Sequence, residues 1–161
     1  MMYWFRRKYW QIKNIIKWLP VIWKQYDFDY HYSIDVFKFQ LQKQAEFLES
    51  DKHNTLSAPQ NAQRIRTVIK LMDRVYDDYY GCEYQDILAK KYGENVLNFN
   101  FEDCGDKPGY CTLSYEFEKW DNAEEIQKEH DKLFKECQER QEKAHRILWA
   151  LIEKDIRRWW D

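Results

Sequence analysis

The sequence predicts a mainly α protein: a helical bundle with a long C-terminal helix and a small β-hairpin inserted at about residues 94–118. Three observations lead there. From Asp121 to Asp161 there is no Gly and no Pro, and Ile126, His130, Leu133, Cys137, Ala144, Leu148 and Leu151 recur at helical spacing. Ala62, Ile65, Ile69, Met72, Tyr76 and Tyr79 advance by 3, 4, 3, 4 and 3 residues, the signature of one apolar helix face. All four glycines fall between residues 81 and 109, between and beside two short runs that alternate apolar and polar residues. A chain of 161 residues fits a single domain with a real core, divided here into a basic aromatic helix over 1–24 and a bundle with its hairpin over 25–161.

The first element is amphipathic. Phe5, Tyr9, Ile12, Ile16, Leu19 and Trp23 form a continuous apolar stripe, which Trp4, Trp10 and Trp18 widen. Pro20 cannot donate to the Ile16 carbonyl, so a kink or break is expected there. Residues 1–24 carry six bases and no acid, while residues 25–120 carry 11 bases against 17 acids. A basic aromatic arm on an acidic body suits a membrane surface, yet the plainer expectation is that the stripe docks on the body itself.

Next, Tyr26 to Tyr32 alternates aromatic and polar residues, a strand-like pattern beside two helix caps, Asp29 and Ser33. A second helix is expected from about Ser33 to Ser50, with Ile34, Phe37, Leu41 and Leu48 inward. Ser57-Ala58-Pro59-Gln60 reads as a capping box opening the third helix, which Gly81 should end. Gln85 to Tyr92 reads as a short helix closed by Gly93. Leu97, Phe99 and Phe101, then Cys111, Leu113, Tyr115 and Phe117, are the hairpin strands. Two strands alone are marginal, so their apolar face should lie against the helices. The final helix should start near Trp120, Asp121 or Asn122 and would span about 60 Å if continuous to the end.

Four cysteines do not form a framework. Lys13 and Lys17 interrupt any leader-like apolar core, and no uncharged run approaches the roughly 18 residues of a membrane span. Mean hydropathy is −0.90. These features point to a cytosolic protein with reduced thiols.

Chemistry is sparsely signalled. Cys104 and Cys111 flank the hairpin turn and could meet as a disulfide or an incidental pair, but no Cys-x-x-Cys supports zinc. Asp27, Asp29 and His31, Asp73 with Asp77, and Glu142-x-x-His145 have metal-like spacing; a di-iron bundle needs the last motif twice, and solvated charge is the simpler reading. There is no Gly-x-Ser-x-Gly and no Gly-x-Gly, so neither a nucleophile elbow nor a phosphate loop is present. No enzyme activity, cofactor or metal is expected. Arg66, Lys70 and Arg74 make a basic ridge at i, i+4, i+8, and Arg157 and Arg158 adjoin Trp159 and Trp160. Guanidinium groups fork onto phosphate and indoles stack on bases, so these seven residues are the candidate site for a small anionic ligand such as a nucleotide. The alternative is that the basic groups pair with nearby carboxylates while the two Trp staple the helix end to the core. Nucleic acid is disfavoured by the acidic body.

Trp23-Lys24-Gln25-Tyr26-Asp27-Phe28-Asp29-Tyr30, Ala62-x-x-Ile65 followed by Lys70-Leu71-x-x-Arg74, the Asp77-Asp78-Tyr79 step and the terminal Arg157-Arg158-Trp159-Trp160-Asp161 resemble a set of small uncharacterised tailed-phage proteins. The resemblance spans most of the chain and is looser over the hairpin. It carries over no catalytic or binding residue. It implies a context: an accessory host-takeover or counter-defence protein in the cytoplasm of an infected bacterium, of a kind that binds host factors, including signalling nucleotides. The long final helix, longer than a small domain is wide, points to the alternative of a module that inhibits a host protein or assembles with itself.

Overall fold

The computed structural model describes every residue except 1, 24, 26, 27, 53, 95, 106–108, 118–120, 160 and 161. The expected turn at 106–108, the helix start at Trp120 and the candidate Trp160 therefore lie outside the described residues. Among those described the order is α1 (Met2–Ile22), α2 (Tyr30–Glu49), α3 (Ala58–Tyr76), α4 (Tyr79–Tyr92), β1 (Asn98–Asp103), β2 (Cys111–Glu116) and α5 (Ala123–Asp155), then a 3-10 turn over Ile156–Arg158. This is the mainly α architecture with a long last helix and an inserted hairpin that the sequence predicts. The chain divides into two compact units, Met1–Asp73 with Ala150–Asp161, and Arg74–Trp149.

In the first unit α2 starts three residues earlier than expected, because Asp29 rather than Ser33 is its cap. The Asp29 carboxylate accepts the His31 N–H at 2.9 Å, a bond that lowers its pKa. The strand-like alternation around it is thus a capping segment. Leu41, Ala45 and Leu48 of α2 are buried, as are Ala58, Ala62, Ile65, Val68, Ile69 and Met72 of α3. Lys38 Nζ contacts Asp73 Oδ1 at 3.0 Å, linking α2 to α3.

The apolar stripe of α1 does not dock on the body. α1 meets α2 through Trp18, whose ring stands edge-on to Phe39 at 5.0 Å, and Val21 is half-buried beside it in sequence. The stripe itself remains exposed. Nor does Pro20 break the helix: it runs on to Ile22, and the Trp23 N–H donates to the Leu19 carbonyl at 2.9 Å.

In the second unit Gly81 does not end α3. The break falls at Asp77–Asp78, where Asp78 adopts a left-handed conformation (φ 52°, ψ 31°), and Gly81 is buried inside α4. A Cβ on Gly81 would lie 2.4 Å from Asp78 Oδ1, so the glycine makes room for that carboxylate. Gly93, at φ 103°, closes α4 as expected.

The hairpin pairs antiparallel, Phe99 with Tyr115, Phe101 with Leu113 and Asp103 with Cys111. Its apolar face is open, with Phe101 72% and Leu113 51% exposed. Residues flanking the strands hold it instead: Val96 and Phe117 belong to a core cluster with Tyr84, Leu88, Ile126 and Cys137. Burial of the two roots replaces burial of a face.

The middle of α5, polar where a plain core helix would be Leu or Ile, finds most of its partners within this unit, while Gln141 Oε1 has none among the described residues. His130 is 2% exposed and sits among the rings of Tyr84, Phe117 and Phe134, with Nδ1 3.0 Å from Asp131 Oδ1. Gln141 Nε2 donates to the Val75 carbonyl at 2.6 Å, and Arg140 to Glu83 at 2.5 Å. Glu129 accepts from Lys91 at 2.6 Å and from the Tyr92 hydroxyl at 2.5 Å. α5 is 33 residues, about 50 Å, and the last turn tightens to 3-10 before Trp159.

Candidate anion cleft

The members of the expected basic ridge differ in what they contact. Arg66 is chelated by Glu49, Nε to Oε1 at 2.9 Å and Nη2 to Oε2 at 2.7 Å, which lowers the Glu49 pKa and raises that of Arg66. Lys70 is exposed in the first unit, while Arg74 belongs to the second, where its guanidinium lies 5.5 Å from the Tyr79 ring and a bond with Tyr80 raises its pKa. A spacing of four residues gives a common helix face, but Arg66 on that face is already held by a carboxylate.

The C-terminal candidates separate. Arg157 and Arg158 are exposed, whereas Trp159 is 1% exposed and cannot stack on a ligand. Trp159 is the staple that the alternative expectation described, and its indole N–H has no hydrogen-bond partner among the described residues.

Arg158 does line a cleft. Within the first unit a hollow of about 350 Å³ is bounded by Thr55, Ser57, Gln60, Asn61, Arg64 and Arg158. The first turn of α3 supplies one wall and the turn after α5 the other. Asn61, 6% exposed, is the hinge of the arrangement: its Nδ2 donates to the Arg158 carbonyl at 2.9 Å and lies 3.5 Å from Ser57 Oγ. Arg64 is half-exposed, and its Nη1 lies 3.6 Å from Oδ1 of Asp155, a charge contact longer than a hydrogen bond. The Asp155 carboxylate is 12% exposed, so it holds the Arg64 stem in place while leaving that oxygen without a hydrogen bond. Thr55 Oγ1 likewise has no partner among the described residues. Two guanidinium groups and four hydrogen-bonding side chains are the described lining of the hollow, and Asp155 stands behind Arg64 without lining it. At neutral pH that lining favours an anion.

The sequence reading missed Asn61, Arg64 and Asp155. A signal was present. Asn61 shares the α3 face of Ala58, Ala62 and Ile65, and Asp155 falls between Ile152 and Trp159 on the buried face of the C-terminal segment. Polar groups at core positions need partners, and each of these has one across the same cleft.

A second hollow, about 490 Å³ at the start of α5 in the other unit, is lined by Asp121, Asn122, Ala123, Glu124, Glu125 and Lys128. Three carboxylates against one ammonium make it unsuited to an anion. Among the described residues no group of three His, Cys, Asp or Glu is arranged to hold a metal ion. Cys104 and Cys111 lie on opposite faces of the hairpin. Cys111 pairs with Asp103, its Sγ 3.6 Å from Oδ1, whereas Cys104 pairs with Tyr110 and its Sγ is 3.0 Å from Thr112 Oγ1.

No family model, curated protein or solved structure matches the chain.

Proposed function

We propose that this protein is a non-enzymatic binding protein that sequesters a small anionic ligand in the cleft between the start of α3 and the turn after α5. The observation that carries the reading is the convergence of Arg64 and Arg158, far apart in the sequence, on one hollow of about 350 Å³. That volume lies at the small end of ligand sites and suits a phosphate-bearing group. None of the described lining residues is aromatic, so the phosphate of a nucleotide is what they recognise. The resemblance to small tailed-phage proteins supports an accessory role in the cytoplasm of an infected bacterium, with a signalling nucleotide as the ligand class.

The test is calorimetry and thermal shift in phosphate-free buffer with inorganic phosphate and with mono-, di- and cyclic nucleotides. A ligand at 100 times its dissociation constant adds about 2.7 kcal/mol to stability. Arg158→Glu should abolish that gain and leave the unliganded melting temperature unchanged, because only the Arg158 backbone carbonyl is used in the fold contact. No shift with any of these anions would sink the reading.

A second reading, a protein-interaction or self-assembling module, is favoured by the open hairpin face of Phe99, Phe101 and Leu113. Light scattering of the intact protein and of Phe101→Asp tests self-assembly, which requires an oligomer that the substitution dissolves.

A further inference from the structure

The exposed stripe of α1 is the largest feature that an anion cleft leaves unexplained. Phe5, Tyr9, Ile12, Ile16, Leu19 and Trp23 are between 41% and 78% exposed. At 3.6 residues per turn, Trp18 and Val21 lie roughly 150° around the helix from the centre of that stripe. The contact with α2 therefore uses the far side and turns the stripe outward. Ile15, Ile22 and Trp4 extend it, each also more than 45% exposed. An apolar surface this continuous marks a place where something docks.

Charge selects the occupant. Arg6, Arg7, Lys8, Lys13 and Lys17 are the only ionised side chains of α1, so a helix of 21 residues carries five positive charges and no negative one. Around the helix axis Lys13, Arg6 and Lys17 border the stripe along one edge, and Lys8 lies on its other flank between Leu19 and Ile15. The Lys8 and Lys13 ammonium groups sit over the rings of Trp4 and Trp10, at 5.8 and 5.0 Å. Their aliphatic stems can follow an apolar layer while their heads stay in its polar boundary. A second copy of this chain would bring the same five charges against these, which opposes self-pairing through α1. The helix is also unable to cross a bilayer, since none among the described residues is long and apolar enough.

We propose that α1 binds an anionic lipid surface, lying in the plane of the interface with the stripe facing the acyl chains and Arg6, Lys8, Lys13 and Lys17 at the headgroups. A basic polar face opposite aromatic and aliphatic residues is the composition that such helices use. Trp4, exposed at the margin of the stripe, would lie where indole is favoured, between apolar and wet layers. This attachment is separate from the cleft and would deliver the cleft to a membrane surface.

The experiment is sedimentation of the intact protein with vesicles of phosphatidylcholine alone and with roughly one third phosphatidylserine. The mixed vesicles should carry the protein down and the neutral ones should not. Lys13→Gln with Lys17→Gln should weaken binding about 30-fold, at about fivefold per charge. Ile12→Glu with Ile16→Glu should abolish it, with circular dichroism and melting temperature unchanged because both side chains are already exposed. The proposal is overturned if mixed vesicles leave the protein in solution, if neutral vesicles bind it equally, or if the double Glu variant still sediments. It is also overturned if the wild type is a dimer that the double Glu variant dissolves, which would make a second copy the occupant.

Discussion

Asn61 Nδ2 donates to the backbone carbonyl of Arg158 at 2.9 Å, tying the first turn of α3 to the turn after α5. The bond matters twice, since it closes the chain end onto the core and sets the width of the anion cleft. Replacing Asn61 with Ala removes it and should cost about 1 kcal/mol, with a larger loss if the carbonyl stays dry. Urea unfolding measures the first effect and anion calorimetry the second, and both should decline together.

Trp159 is the larger part of that closure. At 1% exposure, its truncation to Ala should cost about 3–5 kcal/mol through lost burial and the cavity left behind. Trp159→Phe should recover most of the loss, because the indole N–H has no hydrogen-bond partner among the described residues to forfeit. Thermal unfolding of the two variants distinguishes packing from hydrogen bonding at this position.

Gly81 and Asp78 form a testable pair. In the wild type Gly81→Ala should forfeit part of the usual helix gain, because its Cβ would lie 2.4 Å from the exposed Asp78 carboxylate, which must swing away. In an Asp78→Gly background the clash is gone and glycine suits the left-handed φ of 52°. There the same substitution should stabilise by up to about 1 kcal/mol, the ordinary helix preference for Ala over Gly. A double-mutant cycle reads this coupling directly.

Glu49 is held below the usual carboxylate range by its hydrogen bonds to Arg66, and Glu129 by those to Lys91 and Tyr92. Because these pKa values are depressed in the folded state, their contribution is complete above the unfolded value of about 4.3. It is lost as pH falls through the folded values. Melting temperature should therefore drop below about pH 4, and Glu49→Gln should flatten part of that slope while leaving a smaller deficit at neutral pH. An unchanged slope would show that the exposed Arg66 pair contributes nothing, as some surface pairs do.

The cysteines should react by position. Cys111 and Cys82 are exposed and should label with a small thiol reagent in the folded protein, Cys82 the more slowly because burial and Asp78 raise its pKa. Cys137, fully buried with its thiol pushed up by desolvation, should label only on unfolding. Mild oxidation should yield no Cys104–Cys111 bond, since the two lie on opposite faces, and non-reducing peptide mapping checks this.

Helices were legible wherever an apolar stripe ran uninterrupted, as in α3 and α5, because periodicity is a property of the chain alone. What a stripe faces is not. The 4-3-4-3-4 pattern of α1 reads identically for a docked and an exposed helix, and only its contact through Trp18 separates the two. Gly81 misled because glycine serves both to end a helix and to admit a close neighbour, and the left-handed residue proved to be Asp78. The cleft was half legible: Arg158 could be picked as a cation beside aromatics, whereas Arg64 became interesting only once Asn61 and Asp155 were seen to bridge distant segments.

The hairpin carries one more consequence. A two-stranded sheet has two unpaired edges, and here a run of Asn98, Phe99, Asn100 and Phe101 borders on them with its aromatic rings in water. Such a segment invites strand addition by other copies. Glu102 and Asp103 stand at the turn end of the hairpin and Glu116 at its open end, opposite Asn98, and in a stacked array each would lie against its own copy. These three carboxylates thus act as guards against fibre growth, and a preparation brought to pH 3 at high concentration should lose that protection and thicken into β-rich aggregate.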